Sequence, residues 1–310
     1  MYHSSVLIAI AFFLLGYFLN DRPIKVQTRV STQSCDSSSS LSPLQFDTSH
    51  TFSSSSSSAA AASAVAAAAS LHSLSSTDWF WTGVYHGNET KFDFLSKRWT
   101  SQVGQDKTIV EIFNGKRGGY FLDLASNDAW HFSNTLTLDQ EYEWNGICVE
   151  ANPQYAPGYH GRRCLLIQAA VGPLDNEIVR FVFEEETGGI QGFDHPVATN
   201  KGVALFTISV DKLLTDLNAP TTIDYLSLDI EGAEWWTFST FPWHKYTFLT
   251  LTIERAPSAL REKLFEEGYI FLCNHGSFDD QLFIHTSLPD IDRVIKQFSG
   301  RTDCRTEEIV

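Results

Sequence analysis

Four carboxylates stand where apolar runs give out: Asp123 in YFLDLASND (Tyr120–Asp128), Glu150 at the end of GICVE (Gly146–Glu150), Asp229 in DYLSLDIEGAE (Asp224–Glu234) and Glu254 at the end of TLTIE (Thr250–Glu254). In an open α/β sheet, ligands bind beyond the carboxyl ends of the strands, and an acid ending the second strand holds ribose hydroxyls. Glu150 fits that position, and the small residues after Asp123 leave room for a ligand against the backbone. Positioned carboxylates also remove protons from reacting hydroxyls, and Asp229 is the first candidate for that work, with Glu231 and Glu254 beside it. Structural roles compete at each position. Asp123 or Asp229 can cap a helix or close a turn, and Glu231 and Glu234 can sit at a helix N-terminus, where the dipole favours acids.

Other side chains extend the candidate list. His131 and His275 are possible bases near neutral pH, although surface or core roles are commoner for histidine. Asp229, Glu254 and Asp280 carry oxygen ligands of the kind magnesium accepts, but their spacing leaves the metal unknown. Trp235, Trp236 and Trp243 can stack on a sugar ring or, more commonly, fill a core.

The elements that must position these residues alternate. Strand-like runs cover Gly119–Leu124, Gly146–Glu150, Cys164–Val171, Tyr225–Asp229, Phe248–Glu254, Tyr269–Asn274 and Gln281–His285, with helix-like stretches at Ser133–Glu141, Trp235–Thr240 and Pro257–Glu267. Such alternation predicts a parallel sheet covered on both faces. The short loop between the last two runs predicts an antiparallel hairpin. The expected fold class is therefore α/β, a mostly parallel sheet closed by an antiparallel C-terminal hairpin.

YFLDLASND, SNTLTLDQEYEWNGICVEANPQY and IDYLSLDIEGAEWW together resemble the FkbM family of S-adenosylmethionine-dependent methyltransferases, over about Gly118 to Leu288. The resemblance implies the seven-stranded class I (Rossmann-like) methyltransferase fold. It makes Asp123, Ala125, Ser126, Asn127 and Asp128 the first cofactor loop and Glu150 the ribose acid, with Asn152 and Ala170 alongside. It puts Asp229, Glu231 and Glu234 near the reaction centre. The first loop departs from the usual pattern in having no glycine, so Ala125 must accept close cofactor approach. The implied activity is O-methylation of a hydroxyl, with S-adenosylmethionine as cofactor. A sulfonium cation suits an acidic pocket.

Composition narrows the partners. A formal net charge of −15 and a pI near 5.0 argue against nucleic acid, because phosphate binding rests on clustered Lys and Arg. Five cysteines without a CxxC spacing indicate neither a zinc site nor a dense disulfide framework. The apolar run Val6–Leu19, with no preceding Lys or Arg and no A-x-A site after it, reads as an uncleaved anchor in residues 1–22 rather than a cleaved signal. Residues 23–76 are a Ser/Ala-rich stalk, 77–295 the methyltransferase-like domain and 296–310 a tail. With the acceptor triplet Asn88-Glu89-Thr90, these features suggest a single-pass membrane protein of the Golgi or another secretory membrane, its domain in the lumen and its acceptor a glycan. Arg22, Lys25 and Arg29 after the apolar run argue for the opposite orientation. Two other functions remain open. A nicotinamide-dependent oxidoreductase is disfavoured because no G-x-G-x-x-G follows the first strand, and a catalytically silent module would bind the methyl donor without turnover.

Overall fold

The structure, a computed structural model, describes residues 83–85, 99–184, 187–195, 202–276, 279–301 and 304–305. The anchor, the stalk and Asn88 lie outside the described residues. Among the described residues, no helix is long and apolar enough to cross a membrane.

The main sheet has nine strands in the order β1-β4-β3-β2-β9-β10-β12-β11-β13. These are β1 (Gly83–Tyr85), β2 (Tyr120–Leu124), β3 (Asn145–Val149), β4 (Leu165–Gln168), β9 (Thr222–Leu228), β10 (Thr247–Glu254), β11 (Tyr269–His275), β12 (Asp280–His285) and β13 (Cys304–Arg305). The run from β4 to β10 is parallel, whereas the pairings of β1 with β4, β10 with β12, β12 with β11 and β11 with β13 are antiparallel. The sheet is thus mixed and nine-stranded, not mostly parallel and seven-stranded as expected. The two extra strands run along the edges, where unpaired backbone groups otherwise invite pairing with another chain.

A second sheet, in the order β5-β8-β6-β7, departs from the expected plan. It contains β5 (Ala170–Gly172), β6 (Ile178–Val182), β7 (Gly189–Ile190) and β8 (Val203–Ser209). The single run expected at Cys164–Val171 is therefore split, its first half in one sheet and its last residues in the other. Buried Ala169 and Ala170 lie at the crossing.

Both faces of the main sheet are covered, as the near-continuous apolar runs require. Leu122, Ile147, Leu226 and Leu251 pack on one face, while Phe121, Cys148, Tyr225 and Leu282 pack on the other. The helices are α1 (Gln105–Ile112), α2 (Leu136–Tyr142), α3 (Val210–Asp216), α4 (Glu234–Phe238), α5 (Ser258–Glu266) and α6 (Ile291–Phe298). Trp243 is buried among Phe238, Phe241 and Tyr269, and Trp235 and Trp236 pack on the same core, so these indoles serve packing.

Cys148 on β3 and Cys164 before β4 form a disulfide, and Cys273 is also disulfide-bonded. These bonds do not amount to the dense framework that the cysteine spacing argues against, and nothing in that spacing marks them. Pairing across neighbouring strands brings together residues whose sequence spacing has no motif.

Candidate active site

Chain order reverses across the sheet between β2 and β9, and in open α/β sheets ligands collect at such a switch point. From β2 the chain walks outward through β3 and β4, then returns to lay β9 on the other side of β2. Beyond the carboxyl ends lies a crevice open to solvent, lined by Ala125, Glu150, Ala170, Phe181, Gly189 and Ala233 among others. Three of the predicted cofactor residues, Ala125, Glu150 and Ala170, thus share one wall.

The loop after β2 meets its geometric demand without glycine. Ala125 and Asn127 both adopt left-handed backbone conformations, with φ of 57° and 50°, which costs a non-glycine residue about 1–2 kcal/mol. The loop is held from outside. Ser126 N donates to the Val149 carbonyl, and Asn127 N donates to Glu150 Oε2 at 2.9 Å. Asp128 Oδ1 accepts from the backbone of Trp130 and His131, so Asp128 closes a turn.

Asp123 faces the protein. Its Oδ2 accepts from Thr135 Oγ1 at 2.6 Å, and burial pushes its carboxyl up although the Thr135 bond and the Arg162 charge oppose the shift. Glu150 is also buried, and Asn152 N donates to its Oε1 at 2.6 Å. Desolvation raises it to about 7 despite backbone hydrogen bonds from Asn152 and Asn127.

A second group forms one row across four strands. Ile253 on β10 pairs with Leu228 on β9, which brings the next residues, Glu254 and Asp229, level; Glu254 pairs with Asp280 on β12, and Asp280 with His275 on β11. Directly opposed residues share a face, so three carboxylates and an imidazole are side by side. Asp229 Oδ1 is buried with no hydrogen-bond donor among the described residues. Burial, then the charges of Glu254 and Glu231, hold its carboxyl well above the usual range. Burial and Glu254 likewise raise Asp280 to about 6, while its bond from Gln105 opposes the shift.

The rest of the DIEGAE segment shapes the rim. Glu234, buried at the start of α4, accepts from Ile230 N and Gly232 N, both at 3.2 Å, and ties the segment to itself. Glu231, at φ 55°, pairs with Arg255, which also holds Glu254 at 2.7 Å and Asp194 at 2.9 Å. Gly232 has φ 88°, a backbone conformation that strains any residue with a Cβ.

The profile of the methyltransferase FkbM domain matches residues 123–277, the stretch that runs from the end of β2 past the end of β11. The chain belongs to the FkbM methyltransferase family. Searches of curated proteins and of solved structures each gave no significant match. Methyltransferases of this family use S-adenosylmethionine in general; Glu150 lines the crevice, and Asp229, whose buried Oδ1 has no donor among the described residues, directly precedes its lining residue Ile230.

The magnesium expectation gains no site: among the described residues no group of three or more His, Cys, Asp or Glu is arranged to hold a metal. Glu254 Oε2 already accepts from Arg255 and Asp280 Oδ2 from Gln105. His131 is exposed against Phe132, and buried His275 lies 3.4 Å from Thr108 Oγ1.

Several positions in this FkbM site had no signal in the sequence. Tyr159 donates its hydroxyl to the loop after β2, 2.7 Å from Ser126 Oγ. Arg162, with a fully buried side chain, spans Asp139, the Ala129 carbonyl and Thr135. Both follow Pro153 in a stretch that reads as loop, where neither periodicity nor a strand end marks a contact.

The elevated carboxyl of Glu150 carries a pH prediction. Its folded value of about 7 lies above the ordinary 4.5, so the folded state keeps a proton that the unfolded chain releases, and this contribution to stability falls as pH rises from 4.5 to 7. Glu150→Gln should therefore stabilise the ligand-free protein at pH 8 relative to pH 5.5, by at most about 2 kcal/mol, the span from 5.5 to 7 at about 1.4 kcal/mol per unit. Urea unfolding at the two pH values measures it, and an equal effect at both would rule out this titration.

Proposed function

We propose that this chain is an S-adenosylmethionine-dependent O-methyltransferase acting on a hydroxyl, with a glycan or another secretory-pathway molecule as acceptor. The observation that carries the reading is the row Asp229–Glu254–Asp280: proton-accepting groups at the strand ends, the first of them one residue before Ile230, which lines the crevice that Glu150 also lines. The seven-strand run from β4 to β11, with its antiparallel hairpin, supports the class I methyltransferase fold.

When bound, S-adenosylmethionine supplies a methyl group on a sulfonium, activated for transfer. The chain's own residues do the rest. Glu150 in its ionised form accepts the ribose hydroxyls, and Ala125, Ala170 and Gly189 leave the crevice open to the nucleoside. Asp229 receives the acceptor's hydroxyl proton at Oδ1. Its raised proton affinity suits it to that role near neutral pH, and a cation alongside favours its ionised form. Glu231, Glu254 and Arg255 orient the acceptor at the rim.

The placement proposed is a single-pass membrane protein of the Golgi or a neighbouring secretory compartment, with the domain in the lumen. The Cys148–Cys164 disulfide supports it, because such bonds persist in oxidising compartments and are rare in the cytosol.

The test is label transfer from methyl-labelled S-adenosylmethionine to hydroxylated acceptors, oligosaccharides first. A labelled methyl ether is the expected product. Label on nitrogen or on a carboxylate would overturn hydroxyl methylation, and donor binding without any transfer across the acceptor panel would favour a silent donor-binding module.

A further inference from the structure

The 3₁₀ helix Ala156–Gly161 packs along the loop after β2 from Ser126 to Trp130. Trp130 Nε1 donates to the Gly158 carbonyl at 2.9 Å, and a Cβ on Gly158 would stand 3.1 Å from Ala129 Cβ. Nearer to β2 the contact narrows to one group, the Tyr159 hydroxyl. It lies 2.9 Å from the Ser126 carbonyl oxygen, 3.0 Å from that of Asn127 and 2.7 Å from Ser126 Oγ. Tyr159 is buried.

Those three oxygens belong to the part of the loop that needs holding. Ala125 and Asn127 have φ of 57° and 50°, a region that glycine enters freely and alanine avoids because its Cβ crowds the following carbonyl oxygen. Ser126, between them, is pinned by its N–H to the Val149 carbonyl. What the loop presents bears on the ligand: Ala125 lines the crevice, and Asn127 N donates to Oε2 of Glu150, which lines it too. Phenylalanine would serve packing alone. A hydroxyl has one hydrogen and two lone pairs, and set against two successive carbonyls it fixes the direction of the backbone as well as its position.

We propose that Tyr159 is a positioning residue of the donor crevice: its hydroxyl keeps the loop after β2 in the left-handed shape that Ala125 does not hold by itself, and so sets the affinity for the methyl donor. This rests on the methyltransferase reading above. Without the hydroxyl the free loop relaxes, and the donor must restore its shape on binding. Glycine at position 125 needs no such restraint, so the requirement for the hydroxyl should vanish with the alanine Cβ.

The test is calorimetric titration of the full-length protein with S-adenosylhomocysteine in four forms: wild type, Tyr159→Phe, Ala125→Gly and the double variant. Tyr159→Phe should weaken binding about tenfold when Ala125 is present, the upper range for one hydrogen bond. In the Ala125→Gly background the same change should cost about twofold or less, and this coupling is what a merely structural tyrosine would not show. Hydrogen exchange of the ligand-free protein supplies a readout without ligand. The Ser126 and Asn127 amides should exchange about tenfold faster in Tyr159→Phe, while the amide of Leu122 on β2 stays protected as in the wild type. An equal loss of affinity in both backgrounds, or unchanged exchange at Ser126 and Asn127, would overturn this assignment alone. If the wild type does not bind S-adenosylhomocysteine, the methyltransferase reading falls and this one with it.

Discussion

Asp229→Asn should lower turnover by about 10²–10⁴-fold with a verified acceptor while leaving affinity for S-adenosylhomocysteine nearly unchanged, since that is the usual worth of a positioned acid-base group. The replacement is nearly isosteric, so packing around α4 is preserved and what disappears is the ability to take a proton. Nucleoside affinity rests elsewhere, on Glu150 and the cavity wall. Single-turnover rates with pre-bound donor separate the two contributions. A chelator should leave the wild-type rate as it is, because Glu254 and Asp280 already direct an oxygen each to Arg255 and Gln105. Near-normal turnover in Asp229→Asn would make the residue a cap and move the proton acceptor to Glu231, Glu254 or a histidine.

The largest stability effect should come from Arg162→Leu. Arg162 and Asp139 form a fully buried ion pair at 2.9 Å. Asp139 Oδ2 also accepts from the backbone of Arg163 and Cys164, and the guanidinium holds the Ala129 carbonyl and Thr135. Removing one partner of such a pair leaves a buried charge uncompensated, at a cost of about 3–5 kcal/mol. Replacing both partners by leucine should cost much less than the two single losses added together. Guanidinium unfolding of the two single variants and the double variant decides it: additive losses would mean that Arg162 and Asp139 act independently. Thr135, which Arg162 holds, also anchors Asp123, so a loosened brace should loosen the end of β2 as well.

What could be read from the sequence follows from how locally each feature is encoded. Glu150 and Asp229 stand out because an acid ending an apolar run is anomalous by itself, and the structure brings both to the carboxyl edge of one sheet. Glu234 is legible as a helix-start acid for the same reason, and it accepts backbone N–H groups at the start of α4. Asp123 shows the same anomaly, yet its nearest partner is Thr135. Sequence could not give that pairing, because it depends on where α2 begins in space. The row from Asp229 to His275 needs the register of four strands, which the β11–β12 hairpin sets only in part. The second sheet was missed because Ala169 and Ala170 continue an apolar run without punctuation, so the change of sheet has no turn residue to mark it. The edge strands β1 and β13 are short, too short for alternation to be read.

The central claim is that the crevice at the β2/β9 switch holds S-adenosylmethionine through Glu150, and its most direct test is calorimetric titration of the full-length protein and of Glu150→Ala with S-adenosylhomocysteine, with a nicotinamide dinucleotide as the competing ligand. Saturable binding of S-adenosylhomocysteine that Glu150→Ala weakens by about 1.5–3 kcal/mol, with no heat from the dinucleotide, is the predicted result; affinity unaltered in Glu150→Ala, or binding of the dinucleotide in place of S-adenosylhomocysteine, would contradict it.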